Sequence, residues 1–254
     1  MNWIKIFERG MVLLLVLFLS ASTVTGQTAR EIIDRANQKM QGETNKSEMK
    51  MQIIRPDWTR EISMKSWAKG TEYSLVLITA PARDEGAAFL KRKKELWNWQ
   101  PTINRVIKMP PSMMMQSWMG SDFTNDDLVK ESSIVDDYTH KILKDTAVQG
   151  RPAWKLELTP TEDAAVVWGR IEAYIGKEDY IQLLFKYYDE DDFLVNTMIL
   201  SDIKDLGGRT IPGRLEMIPA ENPNQKTVII YENMEFNIPI EESFFSIQNM
   251  KRVR

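Results

Sequence analysis

The stretch Trp97–Leu128 reads WNWQPTINRVIKMPPSMMMQSWMGSDFTNDDL, and its chemistry sets it apart from the rest of the chain. Trp97, Trp99 and Trp118 are interleaved with Met109, Met113, Met114, Met115 and Met119, around Pro110, Pro111 and Gly120. Large, soft apolar groups among helix and strand breakers make a surface that is apolar without being rigidly packed. The same cluster can fill an ordinary core. One feature favours a cavity: in a strand, successive side chains point to opposite faces, so Met113, Met114 and Met115 cannot all serve one core. The segment Pro110–Met119 is therefore read as a movable lid. Gly120–Leu128 is read as a turn into a short helix, with Thr124 as its cap and Asp126 and Asp127 in its first turn.

On both sides of this stretch the hydrophobic period is two. Met49, Met51 and Ile53 alternate with Lys50 and Gln52, and the run ends at Arg55, Pro56 and Asp57. Similar runs follow at 60–69, 73–79, 87–92, 96–100 and 105–109. Beyond Leu128 they resume at 138–148, 153–159, 168–175, 181–188, 194–203, 209–217 and 227–236. That predicts roughly a dozen strands. Their connectors are too short for crossover helices, so neighbours pair antiparallel. The runs 73–79 and 181–188 are apolar on both faces and predict a sheet covered on both sides for part of its area. A flat sheet of this many strands is unfavourable, which makes the fold mainly β, a curved barrel or half-barrel with helices against its concave face.

A helix precedes the first strand. Thr28 and Glu31 have the spacing of a capping box, and Ala29, Ile32, Ile33, Ala36 and Met40 fall on one face, ending near Gly42. Such a helix packs on the core or lies across the mouth of a pocket. Before it, Lys5 and Arg9 flank the start of an uncharged run from Met11 to Leu19, followed by small and polar residues to Gly26. This order predicts a secretory signal peptide over residues 1–26, cleaved after Gly26, and a single domain over 27–254. An uncleaved anchor is the alternative, although the apolar run falls short of the roughly 20 residues of a comfortable span.

With 0 cysteines the chain has neither disulfides nor thiolate metal sites nor a lipidated N-terminal Cys. The formal net charge is −3 with no basic block, which argues against a nucleic-acid partner. There is 1 histidine, His140, with no visible nucleophile or second histidine beside it. The acidic run Asp189–Asp192 lacks the spacing and glycine of a calcium loop and reads as a hairpin turn. Gly207–Gly208 reads as a turn and not as a phosphate cradle. No enzyme and no cofactor are expected. The chemistry on offer is apolar binding.

The stretch from Leu96 to Leu128 also resembles the signature of the LolA-like outer-membrane lipoprotein-sorting proteins of bacteria. The likeness is carried by Trp97, Gln100, Pro101, Asn104, Arg105, Lys108, Met109 and Pro110. Above all it lies in Met119, Gly120, Ser121, Asp122 and Phe123, followed by Asp126, Asp127 and Leu128. The resemblance implies an incomplete antiparallel β-barrel of about eleven strands, with helices lidding an apolar cavity that takes up acyl chains. It implies a periplasmic carrier of lipoproteins or lipids, loaded by an inner-membrane transporter and unloaded at an outer-membrane acceptor. The expected lipid-binding residues are Trp97, Trp99, Met113, Met114, Met115, Trp118, Met119 and Phe123. The motif residues expected to matter are Arg105, Pro110, Gly120, Ser121, Asp122 and Asp127. A rival reading of the same fold is a periplasmic lipid-sensing regulatory module.

Overall fold

The computed structural model of the chain describes residues 27–253 except 131–133, 163 and 165. The expected signal peptide thus lies outside the described residues.

Helix α1 (Ala29–Gln41) starts where the capping box places it. The Glu31 amide donates to the Thr28 hydroxyl at 3.2 Å, and the Thr28 amide donates back to the Glu31 carboxylate at 2.9 Å. Its apolar stripe, Ile32, Ile33 and Ala36, is fully buried, and the helix stops at Gly42, whose φ of 65° favours a residue without a Cβ.

From there the chain steps sideways as a meander: β1 (Thr44–Arg55), β2 (Trp58–Lys69), β3 (Tyr73–Ala80), β4 (Ala88–Arg92), β5 (Glu95–Gln100) and β6 (Arg105–Lys108). A long connection containing α2 (Asn125–Lys130) follows. A second meander comprises β7 (Tyr138–Val148), β8 (Arg151–Pro160), β9 (Arg170–Gly176), β10 (Gln182–Tyr188), β11 (Leu194–Leu206), β12 (Arg209–Pro219) and β13 (Lys226–Phe236). All pairings are antiparallel, and β13 pairs with β1, giving one 13-stranded sheet in the order β6-β5-β4-β3-β2-β1-β13-β12-β11-β10-β9-β8-β7. Each alternating run of the sequence is one strand. The count exceeds the eleven implied by the family likeness, because every run, even the short pair β5 and β6, finds a neighbour.

The sheet is open, a half-barrel with β6 and β7 as its edges. The segment between these edges, described over 109–130 and 134–137, forms a strap between the two ends of the sheet. Both the strap and α1 pack on one face, here called inner. In the first meander that face presents Met49, Met51, Met64, Val76 and Phe89, packed with Met109 and Trp118 of the strap. In the second it presents Leu156, Ile171, Ala173, Phe185 and Leu215, packed with Ile32, Ile33 and Ala36 of α1.

The other face of β2–β5 is covered as well. Trp67, Leu75, Leu77, Leu90 and Trp99 pack under Phe245 and Met250, the latter on the short helix α3 (Ile247–Met250). This is why β3 is apolar at successive positions. The run 181–188 has a different cause: a register shift between Gln182 and Leu184 separates Ile181 and Leu183, which pack with Ala153, from Phe185, which joins the inner face.

Candidate binding cavity and its strap

The strap is folded on itself before it touches anything else. The Asn125 side-chain amide donates to the Met113 carbonyl at 2.9 Å, the Asp126 amide to the Met114 carbonyl at 2.9 Å, and the Trp118 amide to the Phe123 carbonyl at 2.8 Å. Between Trp118 and Phe123 the chain reverses through Met119 (φ 53°) and Gly120 (φ 80°). Gly120 meets that requirement at little cost, and Met119 adopts it with strain. The Ser121 hydroxyl accepts from the Phe123 amide at 3.2 Å. The reversal turns the Trp118 and Phe123 rings toward the sheet, where Trp118 meets Phe89 edge-on at 5.4 Å between centroids.

Asp122 fastens this reversal to the middle of the sheet. Its carboxylate accepts from both terminal nitrogens of Arg55, at 3.0 and 3.1 Å, and from the Thr227 hydroxyl at 2.6 Å. The Asp122 amide donates back to Thr227 Oγ1 at 2.9 Å. Arg55 ends β1 and Thr227 is the second residue of β13, so the motif aspartate is tied across the seam between the two meanders. Arg60 adds a bond to the Met119 carbonyl at 3.3 Å and an ion pair with Asp84 at 2.7 Å.

Further along, Thr124 and Asp127 form the cap of α2. The Asp127 amide donates to the Thr124 hydroxyl at 3.1 Å and the Thr124 amide to the Asp127 carboxylate at 2.7 Å, while the Trp168 indole donates to the same carboxylate at 3.3 Å. Burial pushes the Asp127 carboxyl above its ordinary range, and hydrogen bonding from Thr124 and Trp168 only partly opposes it. The folded protein therefore holds a proton on Asp127 at pH values where the unfolded chain has lost it. The stability linked to this group is complete below the ordinary carboxylate value and is lost as pH rises through the raised one. Asp127→Asn is expected to flatten that part of the curve of urea midpoint against pH. An unchanged slope would show that Asp127 titrates normally.

Sheet, α1 and strap enclose a cavity of about 210 Å3. Its walls hold Met40, Met49, Met64, Met198, Met217 and Met234, with Trp168, Phe185, Tyr187 and Tyr231 among the aromatic groups and Trp118 and Phe123 from the strap. Trp168, Tyr187 and Phe185 form a run of rings, with centroids 5.2 and 6.3 Å apart along it. Asn37, Gln41, Gly70 and Thr71 line both this cavity and an outer depression of about 290 Å3 bordered by Arg30, Asp34 and Asp136, so the cavity reaches the surface beside the C-terminal half of α1.

The expected lipid-binding residues divide. Trp118 and Phe123 line the cavity. Met113, Met114 and Met119 are half-buried against the Met49–Trp118 cluster, on the strap but outside the cavity lining, and Met115 is exposed at 63%. Trp97 and Trp99 belong to the outer face under Phe245, where Lys108 and Lys251 lie 5.6 and 5.2 Å from their ring centres. Of the motif residues, Gly120, Ser121, Asp122 and Asp127 shape and anchor the strap, whereas Arg105 on β6 and Pro110 at the strap's start are exposed. The wall methionines of β1, β2, β11, β12 and β13 were not singled out from sequence. Their signal was methionine at alternating strand positions, such as Met49 and Met64, in place of the more usual β-branched residues.

His140 Nε2 lies 2.7 Å from the Ile134 carbonyl; burial first, with the neighbouring Arg30, lowers its pKa against the opposing effect of that bond. The acidic run is a turn in which Asp189 accepts from the amides of Asp191 and Phe193 at 3.0 and 2.8 Å. Among the described residues no cluster of His, Asp and Glu is arranged to hold a metal, and no helix is long and apolar enough to cross a membrane.

A family model described as "Uncharacterized protein" matches residues 70–252. The chain belongs to that family. No curated protein matches the chain. Solved structures do. A DUF1329 family protein from Desulfovibrio piger is 22% identical with a TM-score of 0.80, over 87% of this chain and 97% of its own. A domain assigned to outer membrane lipoprotein sorting from Vibrio parahaemolyticus is 20% identical with a TM-score of 0.78, over 88% and 98%. A LolA superfamily protein from Nitrosomonas europaea is 20% identical with a TM-score of 0.76, over 87% and 99%. The fold of this family member is thus that of the LolA-like lipoprotein-sorting proteins, along nearly the full length of each relative. The likeness read from Trp97–Leu128 extends to the whole sheet.

Proposed function

We propose that this protein is a periplasmic carrier that shields acyl chains of lipids or lipoproteins on their way toward the outer membrane. The observation that carries the reading is the cavity itself, walled by methionine and aromatic side chains and enclosed between the sheet, α1 and the strap. An acyl chain exposed to water loses about 0.8 kcal/mol per CH2, so transfer across an aqueous compartment needs such a shelter. Methionine side chains adapt to tails of different length without directional bonds.

Ligand pockets commonly enclose about 300–1,000 Å3, so a cavity of about 210 Å3 is a contracted state that a long tail enlarges. The wall methionines can re-rotamer, and α1 can shift at the mouth beside Gly70 and Thr71. In this reading residues 1–26 direct export, an inner-membrane transporter loads the cavity and an outer-membrane acceptor empties it. Release requires affinity above that of the donor and below that of the acceptor, which an apolar cavity without strong polar anchors for the tail supplies.

The test is extraction of the protein purified from its own periplasm, followed by mass spectrometry, together with titration of a fluorescent fatty acid. Co-purified acylated molecules and saturable binding are expected. Absence of both would sink the carrier reading.

A further inference from the structure

The hairpin that joins β4 to β5 is charged against the balance of the chain. Arg92, Lys93 and Lys94 are consecutive and exposed, and among the described residues none of the three is in an ion pair, while the whole chain has a formal net charge of −3. The pairing register sets Lys69, Tyr73, Arg92 and Glu95 in one row across β2–β5, the last before the turns. Lys108 stands one row further in and pairs with Glu95. The acids of this corner are Glu72 and Glu95, and the cations outnumber them. Local backbone preference does not explain the lysines. Lys93 has a φ of 55°, in a two-residue loop where glycine meets that conformation at less cost.

The tip borders the cavity mouth. The Lys93 amide donates to the Glu72 carbonyl at 2.6 Å, which ties it to the turn between β2 and β3, and Gly70 and Thr71 of that turn line the cavity. On the outer face the half-buried Trp97 has the Lys108 ammonium 5.6 Å from its ring centre, and an indole among cations suits the boundary between water and lipid. The turn from β10 to β11, at the opposite end of the sheet, is acidic from Asp189 to Asp192. An anionic surface therefore attracts the mouth end and repels the far one.

We infer that the β4–β5 tip docks the cavity mouth onto the anionic headgroups of a bilayer, so that a tail passes between membrane and cavity while the two are in contact. The inference rests on the carrier reading and adds to it the surface at which the mouth works. Charges are screened over about 8 Å in physiological salt, so the tip has to approach the phosphates closely. Each lysine or arginine near such a surface strengthens binding about fivefold.

The experiment is flotation of the purified protein with vesicles of phosphatidylcholine, alone or with phosphatidylglycerol added. Affinity about tenfold or more higher for the anionic vesicles is expected, shrinking as salt rises. Lys93→Gly combined with Lys94→Gln removes two cations and relieves the left-handed lysine, so the variant should fold at least as well and lose about tenfold or more of that affinity. Lys93→Arg with Lys94→Arg should keep it. Neither residue lines the cavity, so affinity for a fluorescent fatty acid should stay the same in both variants. Its rate of transfer to anionic vesicles should rise with vesicle concentration and slow in the Gly and Gln variant. Equal binding of the unmodified protein to both kinds of vesicle, or binding to neither, overturns the docking surface whatever the variants do, and the second result would assign the tip to an acidic protein instead. A transfer rate indifferent to vesicle concentration means release into water and overturns passage on contact. Loss of fatty-acid binding with the vesicle preference intact overturns the carrier reading and leaves the docking surface standing.

Discussion

Replacing Asp122 with alanine is expected to lower the unfolding free energy by about 3–5 kcal/mol, the range found when one partner of a buried ion pair is removed. The side chains of Arg55 and Asp122 are only 15% and 7% exposed, so the charge left on Arg55 has little water to compensate it. The loss also frees the Thr227 hydroxyl and the strap reversal that positions Trp118 and Phe123. Fatty-acid affinity should therefore fall as well, measured at a temperature where the variant is still folded. Asp122→Asn keeps the shape and one acceptor and should lie between the two. Urea denaturation followed by tryptophan fluorescence checks the order. A loss below about 1 kcal/mol for the alanine variant would place the pair with solvated surface bridges and remove the case for a buried anchor.

Phe245→Ala is expected to cost about 3–5 kcal/mol by a separate route, a cavity in the outer layer. Phe245 is 0% exposed, with its ring 5.7 Å from Tyr73 and 5.4 Å from Phe244. It lies on the far side of the sheet from the ligand cavity. Stability should drop while affinity for a fatty acid, measured below the melting transition, stays within about twofold. A parallel loss of affinity would mean that the outer layer sets the curvature of the inner one. The pair of variants thus separates what holds the strap from what holds the sheet.

Several of these features were legible in the residues themselves. The alternation of Met49, Met51 and Ile53 against Lys50 and Gln52 was readable because one face of β1 meets the core and the other meets water. Thr28 with Glu31, and Thr124 with Asp127, were readable because a cap is a local contract between residues three apart. Trp97 and Trp99 were expected to bind lipid, and the structure sets them on the outer face instead, because period two fixes that they share a face and says nothing of which face. The segment that decides the matter, 240–253, has no periodic pattern of its own. The lining of the cavity was hidden for a related reason. Met49 and Met64 look like ordinary core residues until the register of β1 and β2 sets them side by side under the strap.

The open sheet has two unpaired borders, and each is blunted in its own way. β6 is four residues long, too short to template another strand firmly. β7 runs for 11 residues with Ile142 and Leu143 exposed, the composition of a sticky edge, but Lys141 and Lys144 flank them and the ladder to β8 slips between Ile142 and Lys144. Charge and a local kink discourage a second chain from adding itself there. A closed barrel would need neither device. The half-barrel carries both, and so it keeps an aggregation-resistant rim around an interior that must stay reachable.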